Sequence, residues 1–232
     1  MNDKYLAIVT ARAGSKRLPG KNVRELCGKP LFVWSVLAGT GCPDVGATVV
    51  TTDSAQYQDL ARAAGAECPR LRPAELASDT TSSFDVVKDV LDHYGSGLAA
   101  YESFVLLQPT SPLRTADDVA AAIALHRSSG APAVVSVCEA ECPPAWIGQI
   151  GDDLKMDDFI RPEYKGMRSQ NLGAWYRFNG AIYIVNIETF LAERSFTPRG
   201  TMAYIMPRER SVDVDTAFDF KVAEALMPPN WD

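Results

Sequence analysis

Residues 12–29 carry Arg12, Lys16, Arg17, Lys21, Arg24 and Lys29 against one acid, Glu25, so six of the chain's 23 Lys and Arg side chains crowd into one short segment. Such a concentration can bind an anion, and Gly14 and Gly20 let backbone amides approach phosphate oxygens closely. Two familiar phosphate loops fail on spacing. Five residues separate Gly14 from the Gly20-Lys21 pair where a P-loop has four, and Asn22 stands where it needs Ser or Thr. No G-x-G-x-x-G follows the first apolar run either. The plain alternative is a solvated basic loop.

Near the other end, Asp213 and Asp215 stand two apart in SVDVDT. On an extended segment such positions share a face, so both carboxylates can aim at one point. Two hard oxygen donors suit Mg2+, which keeps water and phosphate oxygens in its remaining positions. The alternative is that these acids cap a helix starting near Thr216. In RPAELASDTTSS, Arg72 offers a fixed fork of donors and Ser83 a hydroxyl, although Ser83 can equally cap a helix. Gln108 ends an apolar run before Pro109, where it emerges at the sheet edge and suits a polyhydroxylated ligand. Asn179 and Tyr183 lie four apart in a strand-like run, hence on one face and in one pocket, with Tyr183 alternatively a core aromatic.

The elements that must position these groups alternate between β-branched runs and helical periodicity, the signature of α/β folds. Strands are predicted at 5–10, 47–52, 103–107, 133–138, 179–185 and 203–206. Helices are predicted at 31–38, 55–64, 82–94, 115–126 and 217–226. The basic segment then lies just beyond the first strand's C-terminal end, where open α/β sheets bind ligands. Regularity breaks over 139–176, which mixes prolines, glycines, charge and aromatics. The predicted organisation is a catalytic domain from 1–138 and 177–232 with 139–176 inserted.

A chain of 232 residues with 47% hydrophobic residues is long enough for one well-packed domain. A net charge of −6 argues against nucleic acid as the partner, since that surface needs widespread Lys and Arg. Five Cys without a C-x-x-C pair, and two His, point to reduced thiols and a cytoplasmic protein. No apolar run is long enough for a signal peptide or membrane span.

The run AIVTARAGSKRLPGKNVRELCGKPL resembles the N-terminal signature of the cytidylyltransferases that activate sialic acid and related nine-carbon keto sugars. RPAELASDTTSS, LLQPTSPLRT, FNGAIYI and SVDVDTAFDF match further blocks in the same order across nearly the whole chain. The resemblance implies a Rossmann-like three-layer α/β/α nucleotidyltransferase sheet with a small dimerisation insertion, so a homodimer. It implies that CTP and a sugar acid are the substrates and that Mg2+ is the cofactor. By the same resemblance Arg12, Ser15, Lys16 and Lys21 contact phosphate, Asn22 the nucleoside, and Arg72 and Ser83 the cytidine. Asp213 and Asp215 hold the metal, with one of them near the sugar's reacting hydroxyl; Lys21, Arg12 and Asp215 form the catalytic set. Gln108, Arg168, Gln170, Asn179 and Tyr183 are implied for the sugar site, Arg168 pairing with its carboxylate, and Phe196 for the partner subunit's sugar pocket. N-acylneuraminate, legionaminate, pseudaminate and a deaminated relative remain open as acceptors. A metal-dependent glycosyltransferase and a catalytically silent nucleotide-binding protein are the rival readings, and three basic side chains after the first strand fit an uncapped triphosphate better than a sugar nucleotide.

Overall fold

The computed structural model describes residues 4–157, 159–168 and 172–228. Strand β1 (Tyr5–Thr10) is buried on both faces: Tyr5, Ala7 and Val9 enter one core, Leu6 and Ile8 the other. That is how a strand reads when helices cover both sides of its sheet. Beyond the basic loop come the two-residue strands β2 (Glu25–Leu26) and β3 (Lys29–Pro30), paired antiparallel, then helix α1 (Leu31–Thr40). Strand β4 (Val45–Thr51), helix α2 (Ala55–Ala63), helix α3 (Ser83–Tyr94), strand β5 (Ser103–Leu106) and helix α4 (Ala116–Ser129) follow. The chain continues through β6 (Ala133–Glu139), β7 (Tyr176–Asn186), α5 (Ile187–Glu193), β8 (Met202–Ile205) and α6 (Ala217–Leu226).

Six strands form one sheet in the order β4-β1-β5-β7-β6-β8. The pairs β1/β4, β1/β5 and β6/β8 are parallel, whereas β7 runs antiparallel to β5 and β6. Residues of α1, α2 and α4 pack on one face and those of α3 and α5 on the other, which gives the three-layer sandwich. A third cluster joins Leu31 and Trp34 of α1 to Phe220 and Ala223 of α6, with Leu18 of the basic loop and Val214 between the two aspartates. This cluster draws the two ends of the sequence together.

Predicted and observed elements agree within a few residues, apart from the two-residue strands β2 and β3 and one helix, which were not predicted. Helix α5 is short and starts immediately after β7, with Asn186 accepting from the Thr189 amide as its N-cap. About two turns appended directly to a strand leave little helical period to read. Between β6 and β7 the described residues hold only short 3-10 turns at Pro144–Trp146 and Pro162–Tyr164. Ile147, Ile150, Leu154 and Met156 of this segment are exposed. No helix among the described residues is long and apolar enough to cross a membrane.

Candidate active site

A cleft of about 580 Å3 opens at the C-terminal ends of the central strands. Arg12, Ser15, Lys16, Lys21, Asn22, Arg72, Ser83, Gln108 and Asp215 all line it. These side chains come from four separate stretches of sequence, and the sheet order brings them to one edge.

Lys21 is the junction. Gly20 adopts a left-handed φ of 66°, turning the chain into the 3-10 segment Lys21–Val23 and directing the lysine inward. The Lys21 Nζ donates to the Val214 carbonyl at 2.8 Å and to Asp215 Oδ1 at 3.0 Å. The other Asp215 oxygen accepts from Arg17 at 2.7 Å. Basic loop and aspartate pair therefore meet, although 194 positions separate them in sequence. Not all the basic residues face the cleft: Arg24 stacks over Phe220 at 4.9 Å and Lys29 over Trp34 at 4.5 Å.

The aspartates are not caps. Thr216 and Asp219 form the capping box of α6, which leaves Asp213 and Asp215 available. Their segment belongs to no strand; the Val214 amide donates to the Thr110 carbonyl at 2.7 Å, and buried Val214 stands between exposed Asp213 and half-buried Asp215. Asp213 is exposed, yet the protein around it partly desolvates its carboxyl. That desolvation, with the negative charge of Asp215, pushes its carboxyl above the usual range, against the opposing effects of Thr110, Lys21 and Arg177.

The basic loop is braced by its own contacts. The Ala13 amide donates to Asp53 Oδ1 at 2.8 Å, and Asn22 Nδ2 donates to the Arg12 carbonyl at 2.8 Å. Asn22 Oδ1 is buried without a hydrogen-bond partner among the described residues. Arg72 is buried and donates from Nε to Thr51 Oγ1 and from Nη2 to the Thr51 carbonyl, leaving other donors of its fork for the cleft. Burial lowers its pKa. Ser82, not Ser83, caps α3 by accepting from the Asp85 amide, so the Ser83 hydroxyl is not committed to the helix end.

Sequence reasoning overlooked several supporting residues. Asp79 bridges Arg12 Nη1, at 2.8 Å, and Lys16 Nζ; Lys16 first, then Arg12, holds its carboxyl below the ordinary range. Arg114 is fully buried, donating to the Ala181 carbonyl at 2.7 Å, to the Gln108 carbonyl and to Ser35 Oγ, and its pKa is pushed down to about 9 by desolvation. It ties the end of β5, from which Gln108 projects, to β7 and α1. Arg210 grips buried Asp118 with Nε and Nη2, both at 2.8 Å, anchoring the approach to the aspartate pair on the cap of α4. Burial alone would raise the Asp118 carboxyl, but Arg210 and Thr115 hold it below its ordinary value.

Several sugar-site expectations are corrected. Asn179 is 1% exposed, and its amide accepts from Ser136 and donates to Ser211 Oγ and Met206 Sδ, so it braces the sheet and does not line the cleft. Asn179 and Tyr183 do not share a face. The register of β7 on β6 shifts between Val135 and Val137, opposite Gly180 with φ 74°, and strict alternation is lost there. Tyr183 is half-buried and packs edge-on against Phe196 at 5.9 Å; burial and then Asp213 raise its pKa. Phe196, half-buried, also packs on Phe104 and Phe190 of its own chain. Arg168 lies exposed outside the cleft lining, and Gln170 lies outside the described residues. The arginine electrostatically coupled to Asp213 is Arg177, whose guanidinium holds Glu141 down to about 2.

Residues 6–141 match the sequence profile of a family described as cytidylyltransferase. The chain is 35% identical over 230 residues to the CMP-N,N'-diacetyllegionaminic acid synthase of Legionella pneumophila, covering 98% of this chain and 97% of that protein. It is 38% identical over 228 residues to the N-acylneuraminate cytidylyltransferase of Escherichia coli O18:K1:H7, where the match covers 98% of this chain and spans only 53% of the longer relative. The fold superposes on CMP:2-keto-3-deoxy-manno-octonic acid synthetase complexed with CTP with a TM-score of 0.70 at 18% identity, over 97% of this chain and 98% of that one. Site, fold and full-length likeness converge: the chain belongs to the cytidylyltransferase family that includes the N-acylneuraminate cytidylyltransferases.

Proposed function

We propose that this chain transfers CMP from CTP to the anomeric hydroxyl of a nine-carbon 2-keto-3-deoxy sugar acid, releasing pyrophosphate. The observation that carries the reading is the Lys21–Asp215 contact, which joins the cationic loop to one carboxylate of the pair in the same cleft as Arg72 and Ser83; Asp213, two positions away, lies outside the cleft lining. Arg12, Ser15 and Lys16 then bind the outer phosphates and Lys21 neutralises charge near the phosphorus under attack. Arg72 and Ser83 orient the cytidine, and Gln108 contacts the incoming sugar at the cleft's far side.

Magnesium fits the aspartate pair on its chemistry. Asp213 and Asp215 are two hard donors whose mutual repulsion a dication relieves, and exposed Arg17 can yield its Asp215 oxygen. When bound, the metal supplies positive charge that offsets the triphosphate and favours ionisation of the attacking hydroxyl. The exposed apolar side chains of the 139–176 segment support a homodimer within this reading, and five free thiols support a reducing, cytoplasmic setting.

N-acylneuraminate and N,N'-diacetyllegionaminate are both candidate acceptors. The second is favoured by the end-to-end match with the Legionella protein, since the E. coli relative is about twice as long. A pyrophosphate-release screen of N-acetylneuraminate, legionaminate, pseudaminate and the deaminated nonulosonate against CTP, GTP, UTP and ATP with Mg2+ tests the reading. Release confined to CTP with one of these acids is expected. Release with a different nucleotide, or none with any pair, overturns it.

A further inference from the structure

Asp79 has no place in the proposed chemistry, yet it stands on the side chains assigned to phosphate. Its two carboxylate oxygens contact Arg12 and Lys16 separately, the bridging arrangement that two phosphate oxygens would adopt. All three side chains retain solvent access, 37% for Asp79, 33% for Arg12 and 80% for Lys16, so these pairs are exchangeable. Asp79 sits at the tip of the loop that leaves Arg72 and returns to Ser83. That loop is anchored at its start by the Arg72 amide on the Thr52 carbonyl, at 2.7 Å, and at its end by the Ser82 cap. Between them, Ser78 Oγ bonds the Thr80 and Thr81 hydroxyls, and Thr81 donates to the Glu75 carbonyl. The basic loop, for its part, is held through Ala13 on Asp53 and Asn22 on the Arg12 carbonyl, independently of Asp79.

We propose that Asp79 is a built-in counterion that occupies the phosphate seat formed by Arg12 and Lys16 and competes with the polyphosphate for it. This rests on the proposed function, in which those two cations bind CTP. The carboxylate must leave for the triphosphate to enter and returns as pyrophosphate departs, so it weakens pyrophosphate binding and aids its release.

Calorimetric titration of wild type, Asp79→Asn and Asp79→Glu with pyrophosphate, CTP and cytidine separates the possibilities, with thermal melts verifying that the variants fold. Removing two partly solvated ion pairs should tighten pyrophosphate and CTP binding to the Asn variant by about two- to tenfold. Cytidine binding should not change, and the Glu variant should stay near wild type. If wild type binds CTP but the Asn variant binds pyrophosphate equally or more weakly, Asp79 merely orients Arg12 and the counterion role is refuted. A wild type that binds neither CTP nor pyrophosphate removes the proposed function, and this inference with it.

Discussion

Charge and hydrogen-bond capacity can be read at single residues, and here they separate neighbours that look interchangeable. Ser82 and Ser83 are the clearest pair. Since Ser82 caps α3, Ser82→Ala is expected to cost about 1 kcal/mol in a denaturation experiment while leaving the KM for CTP unchanged. Ser83→Ala should do the reverse, raising that KM severalfold with the melting temperature unmoved. Lys21→Ala and Asp215→Asn should each lower pyrophosphate release by about 100-fold or more, the scale on which a positioned charge acts in a transition state, with circular dichroism unchanged. Near-normal turnover by either purified variant would remove it from the machinery. The residue types of the phosphate loop and the aspartate pair were enough to nominate them. Asp79 and Arg114 were not nominated, because nothing local distinguishes a carboxylate or guanidinium that folding will bring onto an opposite charge or bury among carbonyls.

Elements set the positions of these groups, and the Asp118–Arg210 pair shows how. It links the N-terminus of α4 to the segment that delivers Asp213 and Asp215. The folded carboxyl lies below its unfolded value, so the unfolded chain binds the extra proton as pH falls; stability from this group is complete above the ordinary aspartate range and is lost as pH drops through it. Asp118→Asn should therefore cost about 2 kcal/mol at neutral pH, and the gap to wild type should narrow below about pH 4, as measured by urea unfolding across pH. A constant gap would mean that the carboxylate's charge is irrelevant. Most elements were predictable from periodicity, because strands buried on both faces are largely apolar and helices α2, α3, α4 and α6 carry Ser or Thr caps. The irregularity at Gly180 was not, since one local φ of 74° breaks the alternation on which the Asn179–Tyr183 expectation relied. A methyl group at that position would also press within 3.0 Å of Gln108 Oε1, so the same glycine leaves room for a cleft side chain.

At the scale of the molecule, exposed Ile147, Ile150, Leu154 and Met156 of the 139–176 segment concern assembly. If a second copy covers them, Ile147→Asp should shift the protein towards monomer in light scattering coupled to size exclusion, and wild type should run as a dimer at micromolar concentration. A wild type that is monomeric throughout would refute the homodimer. The chain's order of apolar runs determined an α/β sandwich, and the composition of two short stretches determined that an anion and a hard cation are its natural ligands; both follow from local chemistry and period. Only the tertiary structure decided that β7 runs antiparallel, that Asn179 belongs to packing, and that Asp215 meets Lys21. Those outcomes depend on contacts between residues far apart in sequence, where hydrophobic closure of the sheet and of the α1–α6 cluster selects which charges come face to face.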